Sequence, residues 1–106
     1  VKTTAENLEE AVAGEGFEFQ EMYPKMLAEA QAEGNKPAEF SFKNALAVEE
    51  IHHGLYSKAL AAVKSGSDMP ATTIYVCPVC GNTVEGGVPD TCPICNVPGD
   101  KFITIA

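Results

Sequence analysis

Two Cys-x-x-Cys pairs restrict what the last third of this chain can fold into. They are near copies, Cys77-Pro78-Val79-Cys80-Gly81 and Cys92-Pro93-Ile94-Cys95-Asn96, with eleven residues between them. Each pair can wrap one side of a metal ion if the next residue adopts a left-handed backbone, which glycine does without strain and asparagine tolerates. Two such knuckles predict one tetrahedral site with four thiolate ligands. These ligands are Cys77, Cys80, Cys92 and Cys95.

The identity of this metal does not follow from the spacing, because four thiolates suit zinc as well as iron. Val79 and Ile94 lie inside the knuckles and are expected to shield a redox metal from water. Tyr75 and Phe102 are expected to build a small core on short flanking strands. These features favour mononuclear iron, with structural zinc as the alternative. Thiolate ligands also imply a reducing compartment, so we expect the cytoplasm.

The composition changes near residue 66, which predicts an α+β chain of two parts. Residues 1–65 are rich in Ala, Glu, Leu and Lys and should form an antiparallel helix pair, whereas 74–106 form the small four-cysteine domain. Residues 66–73 read as a linker. The net charge of −8 argues against nucleic acid or an anionic membrane as partner. No apolar run is long enough to span a bilayer.

The first predicted helix has clear start and stop signals. Thr3 can cap it while Glu6 reaches back, and Gly34 supplies a left-handed end after Glu33. Pro24 lies inside this helix and is expected to bend it just after the preceding residue.

The second predicted helix begins near Pro37 and ends near Lys64. The connection at 34–36 is so short that the two helices must lie antiparallel.

Acidic residues lie on faces of both helices where apolar residues are expected. At about 100° per residue, Glu15 and Glu18 fall within the apolar arc of the first helix. On the second helix Glu49 and His52 form Glu-x-x-His in the middle of the main apolar face, whereas Glu50 and His53 point elsewhere. A lone histidine there would be an ordinary core residue, and two acids could reach outward to water. Together they predict metal ligands, because buried carboxylates are costly without a cation.

This ligand set is half of a carboxylate-bridged di-iron site. Four-helix bundles of that kind take a Glu from each of two helices and Glu-x-x-His from each of the others. A second apolar stripe on the second helix also needs cover: Phe40, Ile51, Leu55 and Ala62. The chain begins at Val1 rather than Met. We therefore expect the missing helices to come from an upstream fragment or from another chain, and a dimer is favoured.

With these motifs in place, the sequence resembles the rubrerythrins. The resemblance rests on Ala13-Gly14-Glu15, Glu18, Glu21-Met22-Tyr23-Pro24, Glu49-Glu50-Ile51-His52 and the two Cys-Pro-x-Cys pairs. They follow the order of the family's third and fourth bundle helices and its rubredoxin domain. The family's first helix pair has no counterpart in this chain.

The resemblance implies a non-haem di-iron peroxidase that reduces hydrogen peroxide with electrons relayed through the rubredoxin iron. A reductase or rubredoxin would be the electron donor. Glu15 and Glu49 resemble the bridging carboxylates, and His52 resembles a terminal ligand. Glu18 resembles the mobile carboxylate, and Tyr23 resembles the tyrosine that hydrogen-bonds a ligand. In the family, the electron-donating site and the di-iron site often belong to different subunits.

Two other functions remain open from the sequence. One is a symmetric homodimer that oxidises and stores iron, with a structural zinc ribbon. The other is an electron carrier whose helices only dock it to a partner, although this leaves the four inward residues unexplained. The metal content of the purified assembly would distinguish them.

Overall fold

A computed structural model describes residues 1–105 and shows a helical hairpin followed by a small sheet domain. The helices are α1 (Thr4–Phe17), α2 (Tyr23–Glu33) and α3 (Lys36–Lys64), and a π-helical segment, Glu18–Met22, joins the first two. The strands are β1 (Ile74–Val76), β2 (Thr83–Glu85) and β3 (Ile103–Thr104). No helix in this described range is long and apolar enough to cross a membrane.

The ends of the helices agree with the signals in the sequence. Thr3 and Glu6 form the reciprocal capping box, and Gly34 ends α2 at φ +67°. Helix α3 begins one residue before Pro37 and ends at Lys64, as predicted. Its cap was missed: the Asn35 side chain accepts a hydrogen bond from the backbone N–H of Ala38.

The π-helical segment does not follow from the periodicity of the sequence. The Tyr23 N–H reaches back five residues to the Glu18 carbonyl, immediately before Pro24. Pro24 has no N–H to continue the ordinary bonding pattern, so the irregularity lies where the sequence places a disturbance. This segment therefore shifts the angular positions of residues around the helix axis between Glu15 and Met26. A constant step of about 100° per residue no longer describes the apolar face of the first predicted helix there.

The hairpin packs most closely where α1 meets the middle of α3. Gly16 is buried, and a Cβ atom added there would lie 3.4 Å from the ring of His53. The ring of Phe19 meets the same histidine edge-on at 5.0 Å. His53 therefore packs between the helices, while its sequence partner Glu50 is exposed.

The sheet domain holds its strands in the order β2-β1-β3, all antiparallel. It rests on α3 through Val48, which is 2% exposed and would lie 3.7 Å from a Cβ placed on Gly81. An exposed ion pair between Lys58 and Glu85 adds a weaker contact. The predicted class, a helix pair forming half of a ferritin-like bundle followed by a rubredoxin-like domain, is confirmed.

Candidate metal centres

The four predicted cysteine ligands meet in one cluster. Their sulfurs all lie within 4.8 Å of one another, with 3.6 Å between Cys77 and Cys95 and 3.7 Å between Cys80 and Cys92. A tetrahedral ion with metal–sulfur bonds of about 2.3 Å requires sulfur–sulfur separations of about 3.8 Å. The separations are far too long for disulfides. The cluster therefore fits one four-coordinate metal ion.

The two knuckles share one backbone pattern. In each, the first cysteine's N–H donates to a carbonyl five residues later, and its carbonyl accepts from the N–H four residues later. The residues after the second cysteines, Gly81 and Asn96, have φ values of +85° and +67°. The predicted left-handed turns are thus present in both knuckles.

Backbone and amide N–H groups point at the sulfurs. Burial by itself raises the pKa of the Cys92 thiol, but the N–H groups of Cys95 and Ile94, together with the thiols of Cys95 and Cys80, outweigh it and lower this pKa to about 7. The Asn82 backbone N–H donates to Cys80, and its buried side-chain amide lies 3.8 Å from the Cys92 sulfur. These donors favour the thiolate form of Cys92, the form that binds metal, whereas burial raises the pKa values of Cys80 and Cys95.

The apolar residues inside the knuckles differ in their exposure. Ile94 is half-buried, whereas Val79 exposes 65% of its surface. Val79 therefore contributes little buried apolar surface, and less of the expected shielding of the metal than Ile94.

A second cluster lies inside the hairpin and joins three of the predicted ligands. Glu15 comes from the end of α1, and Glu49 and His52 come from one turn of α3. The Nδ1 atom of His52 lies 3.7 Å from one carboxylate oxygen of each acid, and the three side chains are only 16–23% exposed. One donor atom from each residue fits within 4.8 Å of the others. The helical packing thus brings together residues from separate helices.

This cluster also has the features of a cation site. The second oxygen of Glu15 is buried and has no hydrogen-bond partner among residues 1–105. An orphaned carboxylate oxygen beside a second acid and an imidazole is costly unless a cation satisfies it. Carboxylate and imidazole ligands suit iron or manganese. The residues present therefore fit a metal ion.

The pKa values of Glu49, Glu18 and Tyr23 in the hairpin are all raised. Burial raises the pKa of Glu49, and a hydrogen bond with Glu15 raises it further. The pKa of Glu18 is raised first by its hydrogen bond with Glu49 and then by burial. Burial and then the charges of these carboxylates raise the pKa of Tyr23. Bound cations would remove the need for these protons.

Two predicted site residues lie beside the cluster rather than in it. Glu18 is the first residue of the π-helical segment, and its carboxyl group contacts those of Glu15 and Glu49. Tyr23 packs its ring 6.3 Å from that of Phe42. In the described part of the chain, no hydrogen bond joins its hydroxyl to a carboxylate. The ligand role of Glu18 and the hydrogen-bonding role of Tyr23 stay predictions.

The two clusters are joined through the far side of the His52 ring. Its Nε2 atom lies 2.9 Å from the Gly81 carbonyl oxygen and 3.1 Å from the Thr83 hydroxyl. Gly81 directly follows the ligand Cys80, so a single hydrogen bond connects one candidate site to the backbone of the other. This contact was not predicted, because residues almost thirty positions apart carry no local signal of it.

Comparisons with known proteins match both parts of the chain. The family model described as rubrerythrin matches residues 1–60, and the model of the rubrerythrin rubredoxin-like domain matches 75–103. The chain is 40% identical to rubrerythrin-2 of Clostridium acetobutylicum, covering 92% of this chain and 53% of that protein. It is 34% identical to nigerythrin of Nitratidesulfovibrio vulgaris, covering 91% and 46%.

A solved structure of fully reduced, all-ferrous nigerythrin is similar over almost the whole chain. Its TM-score is 0.88 at 30% identity, and the match covers 99% of this chain and 50% of that one. The chain thus spans about half the length of the relatives it matches.

Proposed function

Because this chain belongs to the rubrerythrin family, we propose that it supplies half of a di-iron peroxide reductase together with the site that feeds it electrons. The family consists of non-haem di-iron proteins with a rubredoxin-like domain, and its members indicate oxidoreductase chemistry in general. The substrate we propose is hydrogen peroxide. A reductase or a rubredoxin would be the electron donor, and the cytoplasm provides the reducing conditions that four thiolates require.

Metal ions would supply the electron transfer of this reaction. Two ferrous ions at the helical site would give the two electrons that, with two protons, convert hydrogen peroxide into two water molecules, and iron at the four cysteines would replace them singly. Glu15, Glu49 and His52 would hold the pair from this half of the bundle. Glu18 lies next to these ligands, and its carboxylate would change its bonding partner when the charge at the site changes.

The observation that carries this proposal is the hydrogen bond between His52 and Gly81. It joins a candidate ligand of the helical site to the peptide that follows Cys80, with 2.9 Å between the two atoms. A purely structural zinc ribbon would need no such connection to a carboxylate site. For this reason an electron relay fits better than the alternative of an iron-oxidising homodimer.

The helical site requires a second helix pair, which we propose comes from an upstream fragment or a second copy of this chain. Among residues 1–105 three ligands meet here, whereas a di-iron bundle takes ligands from four helices. Large apolar side chains on the hairpin also face outward, since Phe17 and Phe40 are 53% and 60% exposed. Covering helices would bury them.

The proposal is tested on the chain assembled with its second helix pair and loaded with iron without oxygen. We expect NADH-dependent consumption of peroxide in the presence of a suitable reductase. Glu49→Gln should lower the rate by more than about 100-fold, because even outer partners of metal ligands contribute 10–100-fold. Glu50→Gln alters the neighbouring exposed acid and should leave the rate unchanged.

Two results would count against the proposal. Absence of turnover by the fully loaded assembly would exclude peroxide reduction. A colourless four-cysteine site holding zinc, together with rapid oxidation of ferrous iron by oxygen, would favour the storage homodimer.

A further inference from the structure

The Thr83 hydroxyl belongs to a three-membered hydrogen-bond network between the sheet domain and α3. It donates to the Gly81 carbonyl over 3.1 Å, and its oxygen lies 3.1 Å from Nε2 of His52. The same Nε2 atom lies 2.9 Å from the Gly81 carbonyl. All three residues are half-buried, so water competes poorly for these groups.

The donors and acceptors of this network allow one tautomer of the ring. A carbonyl oxygen only accepts, so Nε2 must carry a proton to lie 2.9 Å from it. The single Thr83 proton is given to the same carbonyl, which leaves the hydroxyl oxygen as a second acceptor for Nε2–H. Neutral His52 therefore has no proton on Nδ1, the atom that faces Glu15 and Glu49.

We propose that Thr83 is a positioning residue for the helical metal site, acting through His52. Its hydroxyl fixes the Gly81 carbonyl and gives Nε2–H a second acceptor, so that the ring is held with a bare Nδ1 directed at the two carboxylates. This inference rests on the proposed metal site in the hairpin. It adds a residue of the sheet domain to the groups that prepare that site.

The Thr83 hydroxyl can be removed without disturbing the pairing of β2, so its role can be tested apart from the strand. Thr83 pairs through its backbone with Val76, and that pairing does not need the hydroxyl. Valine has the same shape and suits a strand equally well. Thr83→Val thus removes the hydroxyl while keeping the strand, and Thr83→Ser keeps the hydroxyl.

The experiment uses the assembled protein with zinc in the four-cysteine site, and its first measurement is the ring ¹⁵N spectrum. The chain has only two histidines, and His53→Gln assigns them. The wild type should show His52 as the Nε2–H tautomer. Thr83→Val leaves the Gly81 carbonyl as the remaining acceptor for Nε2–H but no longer holds it in place, so the fraction of the Nε2–H tautomer should fall. Thr83→Ser should restore the wild-type spectrum.

The second measurement is the affinity of the helical site for Mn²⁺, followed by electron paramagnetic resonance. Mn²⁺ prefers carboxylate and imidazole ligands and does not displace zinc from thiolates. Thr83→Val should weaken binding about tenfold, the lower end of the loss for outer partners of ligands. Thr83→Ser should bind within about twofold of the wild type, as should the matched control Thr104→Val on an exposed strand position.

Two results would overturn the role of Thr83. One is a Thr83→Val protein with both the wild-type tautomer and the wild-type Mn²⁺ affinity. The other is a Thr83→Ser protein as impaired as Thr83→Val, which would assign the effect to packing. If Thr83→Val loses its zinc and does not fold, Thr83→Ala removes the same hydroxyl and takes its place.

These measurements are separate from the test of the proposed function. A wild-type assembly that binds Mn²⁺ but reduces no peroxide would refute the peroxidase activity. The role of Thr83 would still be decided by the ring ¹⁵N spectrum and the Mn²⁺ affinity. A wild-type assembly that binds no Mn²⁺ in the hairpin would refute both the metal site and this inference.

Discussion

The two metal centres of this chain are built in opposite ways. All four sulfur ligands lie within residues 77–95, and each pair is positioned by the hydrogen bonds of its own turn. Glu15 and Glu49 instead come from different helices, and they meet only because α1 packs against α3. Cys77 and Cys92 are at most 1% exposed and the other two cysteines are half-buried, whereas all three hairpin ligands are half-buried, with side chains 16–23% exposed. A locally built site can be complete within one chain, while one assembled from long helices needs further helices to close it.

The largest expected effect comes from Cys92→Ser, which tests whether the sheet domain depends on its metal. Binding to structural sites with four ligands contributes of order 10 kcal/mol to folding, so losing one thiolate should unfold this small domain. We expect loss of the bound metal by elemental analysis, with the helical circular dichroism retained.

The neighbouring substitution Thr91→Ser is the control and should keep both the metal and the fold. If Cys92→Ser still held one metal ion per chain with a native sheet domain, the sheet domain would not depend on all four thiolates, which contradicts the prediction.

Val48→Ala probes the contact through which the two regions meet. Val48 is 2% exposed and lies against Gly81, and removing its two methyl groups should lower the free energy of unfolding by about 2 kcal/mol. The loss should also loosen the bond between His52 and Gly81, which amide hydrogen exchange around Gly81 would detect.

Val12→Ala, at a half-buried position of α1, is the matched comparison in urea unfolding. An equal or larger loss for Val12→Ala would show that Val48 has no special part in joining the regions.

The smallest effect should come from Thr3→Ala, which touches the helical region alone. The capping hydroxyl is lost, at a cost of about 1 kcal/mol. The metal content of the sheet domain should not change. Thr4→Ala, one residue inside the helix, should have a weaker effect on thermal unfolding.

The same cap has a defined pH dependence. The backbone N–H and then the hydroxyl of Thr3 lower the pKa of Glu6 from its usual 4.5. The ionised carboxylate is therefore favoured in the folded state, and its stabilisation is complete above that value and lost as the pH falls through the lowered pKa. Thr3→Ala removes one of the two donors and should reduce this acid sensitivity. An unchanged pH profile would contradict the capping box.

The sequence predicted those features that depend on near neighbours. The capping box at Thr3, the left-handed end at Gly34 and the turns at Gly81 and Asn96 each follow from a residue type and its local hydrogen bonds. The facing of Glu15 toward Glu49 and His52 also followed, because regular helices repeat their faces.

Features that break a regular repeat were missed. A constant angle of about 100° per residue cannot predict the π-helical segment that begins at Glu18, since that segment depends on the backbone hydrogen bonds around Pro24. The Asn35 cap was overlooked even though asparagine before a helix is a common signal. The metal roles of Glu18 and Tyr23 stay predictions.

By itself, the sequence determined a helical hairpin with acids on an inner face and a domain folded around four cysteines, because caps, periodicity and knuckle spacing act over a few residues. Only the tertiary structure decided that the first knuckle lies against His52, so that Gly81 and Thr83 complete its hydrogen bonds. That contact depends on the path of residues 66–73, which connect α3 to the sheet domain. No local propensity specifies such a path, and its stability comes from burying surfaces that lie far apart along the chain.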